Sequence, residues 1–174
     1  GVDVKSFIDG DGASGTTGVE ARSVSITAED RSAINAVAGA ISLAGGFGTF
    51  GAAVSIGVSL ARNVITSDVE AYVLSADGLA GSTSDFGLQA TTASGITIAA
   101  TGDASINAVS FAASAAVGIG GVAASLSGAG ADANNVILSG TRAYIQNSSI
   151  DSAGKVDIDA SSTGDIDATI VSVA

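Results

Sequence analysis

Apolar and polar positions alternate through the middle of this chain. Val54, Ile56, Val58 and Leu60 fall on one side, with Ser55, Gly57, Ser59 and Ala61 on the other. Successive strand side chains point to opposite faces, so period two predicts a β-strand. The stretch before it is ambiguous, since Ile34, Val37, Ala38 and Ile41 fit helical spacing equally well. An equivalent stretch near the C-terminus, Thr169-Ile170-Val171-Ser172-Val173, is β-branched and prefers a pleated surface. Strands are therefore predicted near 3–8, 23–28, 33–44, 52–65, 69–74, 95–100, 105–117, 122–127, 134–138, 141–146, 155–160 and 165–173. Turns are expected at Gly45-Gly46-Phe47-Gly48, Gly118-Ile119-Gly120-Gly121, Asp9-Gly10-Asp11-Gly12, Asp77-Gly78 and Ala153-Gly154.

The pattern repeats. Ile34-Asn35-Ala36-Val37, Asn63-Val64-Ile65 and Ala71-Tyr72 return 72 positions later as Ile106-Asn107-Ala108-Val109, Asn135-Val136-Ile137 and Ala143-Tyr144. Without a gap, residues 23–73 match 95–145 at about 20 of about 51 positions. Four pieces follow: 1–22, the end of a preceding repeat; 23–94, a first repeat with a loop insertion near 76–90; 95–154, a second repeat; and 155–174, the start of a third. An opening in mid-repeat and the absence of Met are expected of a segment of a longer chain. Self-similarity at a fixed period marks units that stack on their neighbours. The predicted fold is all-β, a repetitive β-solenoid resembling a parallel β-helix, with long strands rich in Ala, Gly and Ser. A 72-residue unit is either several coils or one wide layer with a long hairpin.

Stacking in parallel aligns like residues. Asn35, Asn107 and Asp167 form one expected column and Asn63 with Asn135 another, where amides can hydrogen-bond along a ladder. Tyr72 and Tyr144, with Phe7 before them, form an expected aromatic column. Strand packing accounts for all three columns without any ligand.

Composition narrows the chemistry. With 17 Asp plus Glu against 6 Lys plus Arg, the net charge of −11 disfavours nucleic acid and anionic membrane surfaces, which require clustered cations. Residues 32–61 and 104–131 hold no charge, but they are built from Ala, Gly and Ser more than Leu or Phe. No Trp or basic cluster flanks them, so a helical membrane hairpin is a minor alternative. His and Cys are absent, which excludes Ser-His-Asp and Cys-His catalysis and His- or thiolate-bound metals within these residues. No cofactor is expected. The pairs Asp157/Asp159 and Asp165/Asp167 could serve a polysaccharide-cleaving site. Their equivalents, Ser25, Thr27, Ala33 and Asn35, then Thr97, Ala99, Ser105 and Asn107, fit a solvated face better, so no enzyme is predicted. Asp9 and Asp11 alternate with Gly in a turn that suits Ca²⁺, yet the full calcium-loop pattern is missing. An ordinary acidic turn is the simpler reading.

Ile-Asn-Ala-Val, a long Ala/Gly/Ser run, Asn-Val-Ile, and then Ala-Tyr-Val or Ala-Tyr-Ile with a Gly-led valine strand resemble the repeats of very large bacterial surface and secreted proteins. These are the filamentous adhesins, including leukotoxin-like and haemagglutinin-like exoproteins. The resemblance runs from Val4 to Ala174 through motifs of low complexity. It implies export to the cell surface or medium, a β-solenoid stalk, and a role in adhesion or surface structure with no catalytic residues. The leading expectation is a stiff structural rod whose partner is itself. The alternative is a glycan- or host-surface-binding module acting through the 76–90 insertion, where Phe86 is the one aromatic.

Overall fold

The structure is a computed structural model that describes residues 1–10, 18–77 and 87–174. Among these the strands are β1 (Val2–Asp9), β2 (Val19–Ala21), β3 (Val24–Phe47), β4 (Phe50–Leu74), β5 (Leu88–Ala90), β6 (Ile96–Ile119), β7 (Val122–Gln146), β8 (Ile150–Ser152) and β9 (Val156–Val173). They build three parallel three-stranded sheets, β1-β4-β7, β2-β5-β8 and β3-β6-β9, so the chain is an all-β, β-solenoid-like repeat. Each repeat is one coil with a long hairpin: a three-residue strand, a long strand, a tight turn and a second long strand.

Register follows the repeat. The Val24 amide donates to the Gly95 carbonyl and the Ile96 amide to Lys155, which steps β3 to β6 by 72 positions and β6 to β9 by 60. β1 meets β4 from Val2 opposite Ser67 to Asp9 opposite Leu74. At the insertion, the Ser149 amide donates to Ala76 while the Leu88 amide donates to Ser149. The chain thus departs after Ala76 and rejoins the same coil at Leu88. A Cβ on Gly87 would strike the Ala76 carbonyl oxygen, which explains the glycine at the point of return.

Several boundaries differ from the sequence reading. The expected pairs 23–28 with 33–44, and 52–65 with 69–74, are each one continuous strand. The cluster Glu29-Asp30-Arg31 looks like a break, but period two resolves it. Glu29 and Arg31 point outward and pair with each other, while Asp30 turns inward and accepts the Ser32 hydroxyl at 2.9–3.0 Å. The hairpin turns are at Gly48-Thr49, at the end of the expected span, and at Gly120-Gly121, inside it; β3 continues through Phe47 and β6 through Ile119. Strands β2, β5 and β8 add to the predicted set. Residues expected to allow a helical hairpin are strands, and among the described residues no helix is long and apolar enough to cross a membrane.

The chain divides into two compact units. Unit 1 comprises Gly1–Ser32, Thr66–Ala104 and Leu138–Thr163; unit 2 comprises Ala33–Ile65, Ser105–Ile137 and Gly164–Ala174. In unit 1 the three sheets enclose an aliphatic core that includes Ile26, Val69, Val73, Leu88, Ile96 and Ile98. The corners leave β4 and β7 through the same left-handed backbone, Ser75 at φ 52° and Asn147 at φ 49°.

Unit 2 has the opposite polarity. Ile65 and Ile106 are buried in it, but toward the hairpin turns its interior is small and hydroxylated: Ala53, Ser55, Ser59, Ala61, Ser110 and Ser114 are buried. Ser42 bonds Ser55 at 2.5 Å, and Ser59 bonds Ser110 at 3.0 Å across the interior. A Cβ on Gly57 would lie 2.8 Å from the Ala113 carbonyl oxygen, so the backbones approach too closely for a larger side chain. The large apolar side chains Val37, Ile41, Leu43, Val54, Ile56, Val58 and Leu60 face outward instead.

Candidate functional site

The predicted aromatic column stands on the outer face of β1, β4 and β7 in unit 1. Phe7 stacks on Tyr72 with ring centroids 5.1 Å apart and planes within 7°, and Tyr72 stacks on Tyr144 at 5.0 Å and 4°. The parallel register produces this geometry directly, since Phe7 is the strand partner of Tyr72. Tyr72 has each ring face covered by a neighbouring ring. Within this column, a sugar that stacks on an aromatic face has the outer faces of Phe7 and Tyr144 open to it.

Beside the rings runs a column of alternating charge that sequence reasoning missed. Lys5 on β1 pairs with Glu70 on β4 at 3.4 Å and with Asp3 at 3.5 Å. Arg142 on β7 reaches Glu70 at 3.0 Å and Asp68 at 2.7 Å. The signal was present, because the 72-residue step sets Arg142 against Glu70. Asp68, by hydrogen bond and charge, and then Glu70 hold the Arg142 guanidinium above its ordinary pKa. The charge of Asp3, then Glu70, raises Lys5. Partial loss of water raises the Tyr144 phenol, with the Glu70 and Tyr72 charges adding to it. These exposed pairs carry little net stability individually, and their effect is to fix register: a shift by one residue would turn every charge and ring to the other face.

The remaining predicted columns lie in unit 2. Asn63 donates its side-chain amide to the Asn135 carbonyl oxygen at 2.8 Å. Asn35, Asn107 and Asp167 fall in step on β3, β6 and β9, all exposed. In the calcium reading, Asp9 ends β1 and the next residue, Gly10, donates its amide to the Leu74 carbonyl. Asp11 lies outside the described residues, as do Gly78 and Phe86. Among the described residues no group of three or more carboxylates is placed to hold a metal ion.

A hollow of about 550 Å³ in unit 1 is lined by Asp3, Asp68, Thr66, Ser67, Leu138 and Arg142, among others. Its carboxylates are engaged with Lys5 and Arg142. Nothing in it pairs a nucleophile with a base.

No family model, no curated protein and no solved structure matches this chain.

Proposed function

We propose that this chain is a structural repeat segment of an extracellular bacterial filament or adhesin, in which coils stack along one axis into a stiff rod. One observation carries the reading. Like strands of successive repeats stack in parallel as β1-β4-β7 and β3-β6-β9, and Ile98, between Ile26 and Ile158 of the neighbouring repeats, is fully buried. Ladder hydrogen bonds, ring stacking and charge alternation would each recur at every added coil, so stiffness would grow from nearest-neighbour contacts alone.

Cryo-electron microscopy of the purified chain tests this, with and without a calcium chelator. Elongated particles with a repeat of about 4.8 Å between stacked strands are expected, and Ile158→Lys should shorten them. Compact particles that never lengthen with concentration would overturn the rod. Dissolution by the chelator would show that calcium holds the assembly together.

A further inference from the structure

The chain holds 2 Tyr and no Cys, Met, Trp or His. The other side chains that readily give up an electron are therefore missing, and a one-electron oxidant has only the two phenols to attack. Those phenols are in contact. Tyr72 and Tyr144 are 72 residues apart in sequence, yet their rings stack with centroids 5.0 Å apart and planes within 4°. Both rings are partly exposed, so a small oxidant reaches them.

The parallel step sets like atom over like atom. Each carbon ortho to a hydroxyl thus stands about 4.8 Å from its counterpart, one strand spacing. The χ2 torsion of an aromatic ring is soft, and a tilt of both rings brings two ortho carbons together. Phe7 covers the other face of Tyr72 at 5.1 Å and carries no hydroxyl. Within the column, Tyr144 is therefore the one phenol that a Tyr72 radical touches.

We propose that Tyr72 and Tyr144 are a site of oxidative crosslinking, joined as dityrosine by a peroxidase-type one-electron oxidant supplied with hydrogen peroxide. Each phenol gives up one electron and its proton, leaving two radicals with unpaired density on the ortho carbons. Two ortho carbons form a bond. Each then passes its hydrogen to its own ring oxygen through solvent, which restores both aromatic rings. The pair loses two electrons and two protons in all, and these reduce one hydrogen peroxide to two waters. Holding the rings in contact raises their effective concentration far above any solution value, so coupling within the chain outruns coupling between chains. The bond staples β4 to β7 and closes a loop of 72 residues, restricting the unfolded chain as a disulfide does. The crosslink stands on the ring geometry and does not depend on the rod reading.

Oxidation of the 174-residue chain at micromolar concentration, with light-activated ruthenium tris(bipyridine) and persulfate, tests this in buffer and in urea. The folded chain should give blue dityrosine fluorescence and a monomer lighter by two hydrogens. Trypsin, cutting after Arg62, Arg142 and Lys155, should then release peptide 63–142 joined to peptide 143–155. The crosslink should form about tenfold or more faster in buffer than in urea, and the product should melt at a higher temperature than the untreated chain. Tyr144→Phe keeps the stack and should abolish the intramolecular product. Phe7→Tyr extends the column of phenols and should add a second crosslink, from peptide 6–22 to peptide 63–142. Covalent dimers as the main product of the folded chain would overturn the proposal, as would equal rates in buffer and urea. A crosslinked monomer with an unchanged Tm would overturn the staple.

Discussion

Ile26, Ile98 and Ile158 occupy one core column in three successive coils, so replacing each by Ala measures stacking with the chemistry held constant. Removing three buried carbons from Ile98 forfeits about 2.4 kcal/mol of transfer free energy at about 0.8 per carbon. Neighbours above and below hold the site open, and the residual cavity raises the cost to about 3–4 kcal/mol. Ile26 is 5% exposed and lies on the edge strand β3, where the lining can relax. Its replacement should cost about 2–3 kcal/mol. Ile158, almost half in water, should lose about half the transfer term and leave no closed cavity, about 1 kcal/mol. For a chain of this size each kcal/mol corresponds to about 2–4 °C in Tm, which separates the three variants in a thermal scan. The assay is urea and thermal unfolding at concentrations where sedimentation shows monomer, so that no second copy covers Ile158. Equal costs at the three positions, or a larger cost at Ile158 than at Ile98, would refute nearest-neighbour stacking as the source of stability.

Tyr72→Leu should cost more than Tyr144→Leu, because Tyr72 belongs to two stacked pairs, each worth about 0.5–1.5 kcal/mol beyond its area; near-ultraviolet circular dichroism and unfolding together check this. Gly57→Ala drives a methyl into the Ala113 carbonyl and should destabilise unit 2, read as faster amide exchange in β4 and β6 with unit 1 spared. Ser75→Gly should stabilise slightly by relieving a left-handed residue, visible as a small rise in Tm. Alkaline pH should destabilise the fold. Lys5 and Tyr144 have folded pKa values above their unfolded ones, so their contribution is complete below about pH 10 and is lost as pH rises through the folded values. Melting across that range, followed with tyrosine absorbance, would contradict the assignment if Tm stayed flat.

Much of this architecture is legible in the sequence because period and repeat are linear signals. Alternation from Val54 to Ala61 specifies a strand, and the 72-residue spacing specifies which strands stack, so the rings of Tyr72 and Tyr144 meet as expected. Three features resist such reading. Strands of three residues, such as Leu88–Ala90, are too short to show a period, and backbone bonds to neighbouring coils define them. Glu29-Asp30-Arg31 looks like a loop because charge clusters usually are, until Ser32 supplies Asp30 with an inward partner. The direction of alternation in unit 2 is also hidden. Large residues ordinarily face inward, as Ile65 and Ile106 do, but around Gly57 the Ala113 carbonyl packs so closely that the lining there is Gly, Ala and Ser. Val54 and Leu60 therefore point out. Only the three-dimensional pairing reveals that the apolar side of a legible pattern is the exposed side.

The central claim is that one 72-residue repeat is one coil, stacked in parallel and in register. The chain contains no cysteine, so engineered pairs report this without background. Asn63 and Asn135 are joined side chain to side chain, within reach of a disulfide. The double variant Asn63→Cys/Asn135→Cys should oxidise fully to an intramolecular disulfide under mild conditions. Asn63→Cys/Ala133→Cys, displaced two residues along the strand to a separation of about 8 Å, should stay reduced. A disulfide in the displaced pair, or none in the aligned pair, would contradict the register and with it the coil.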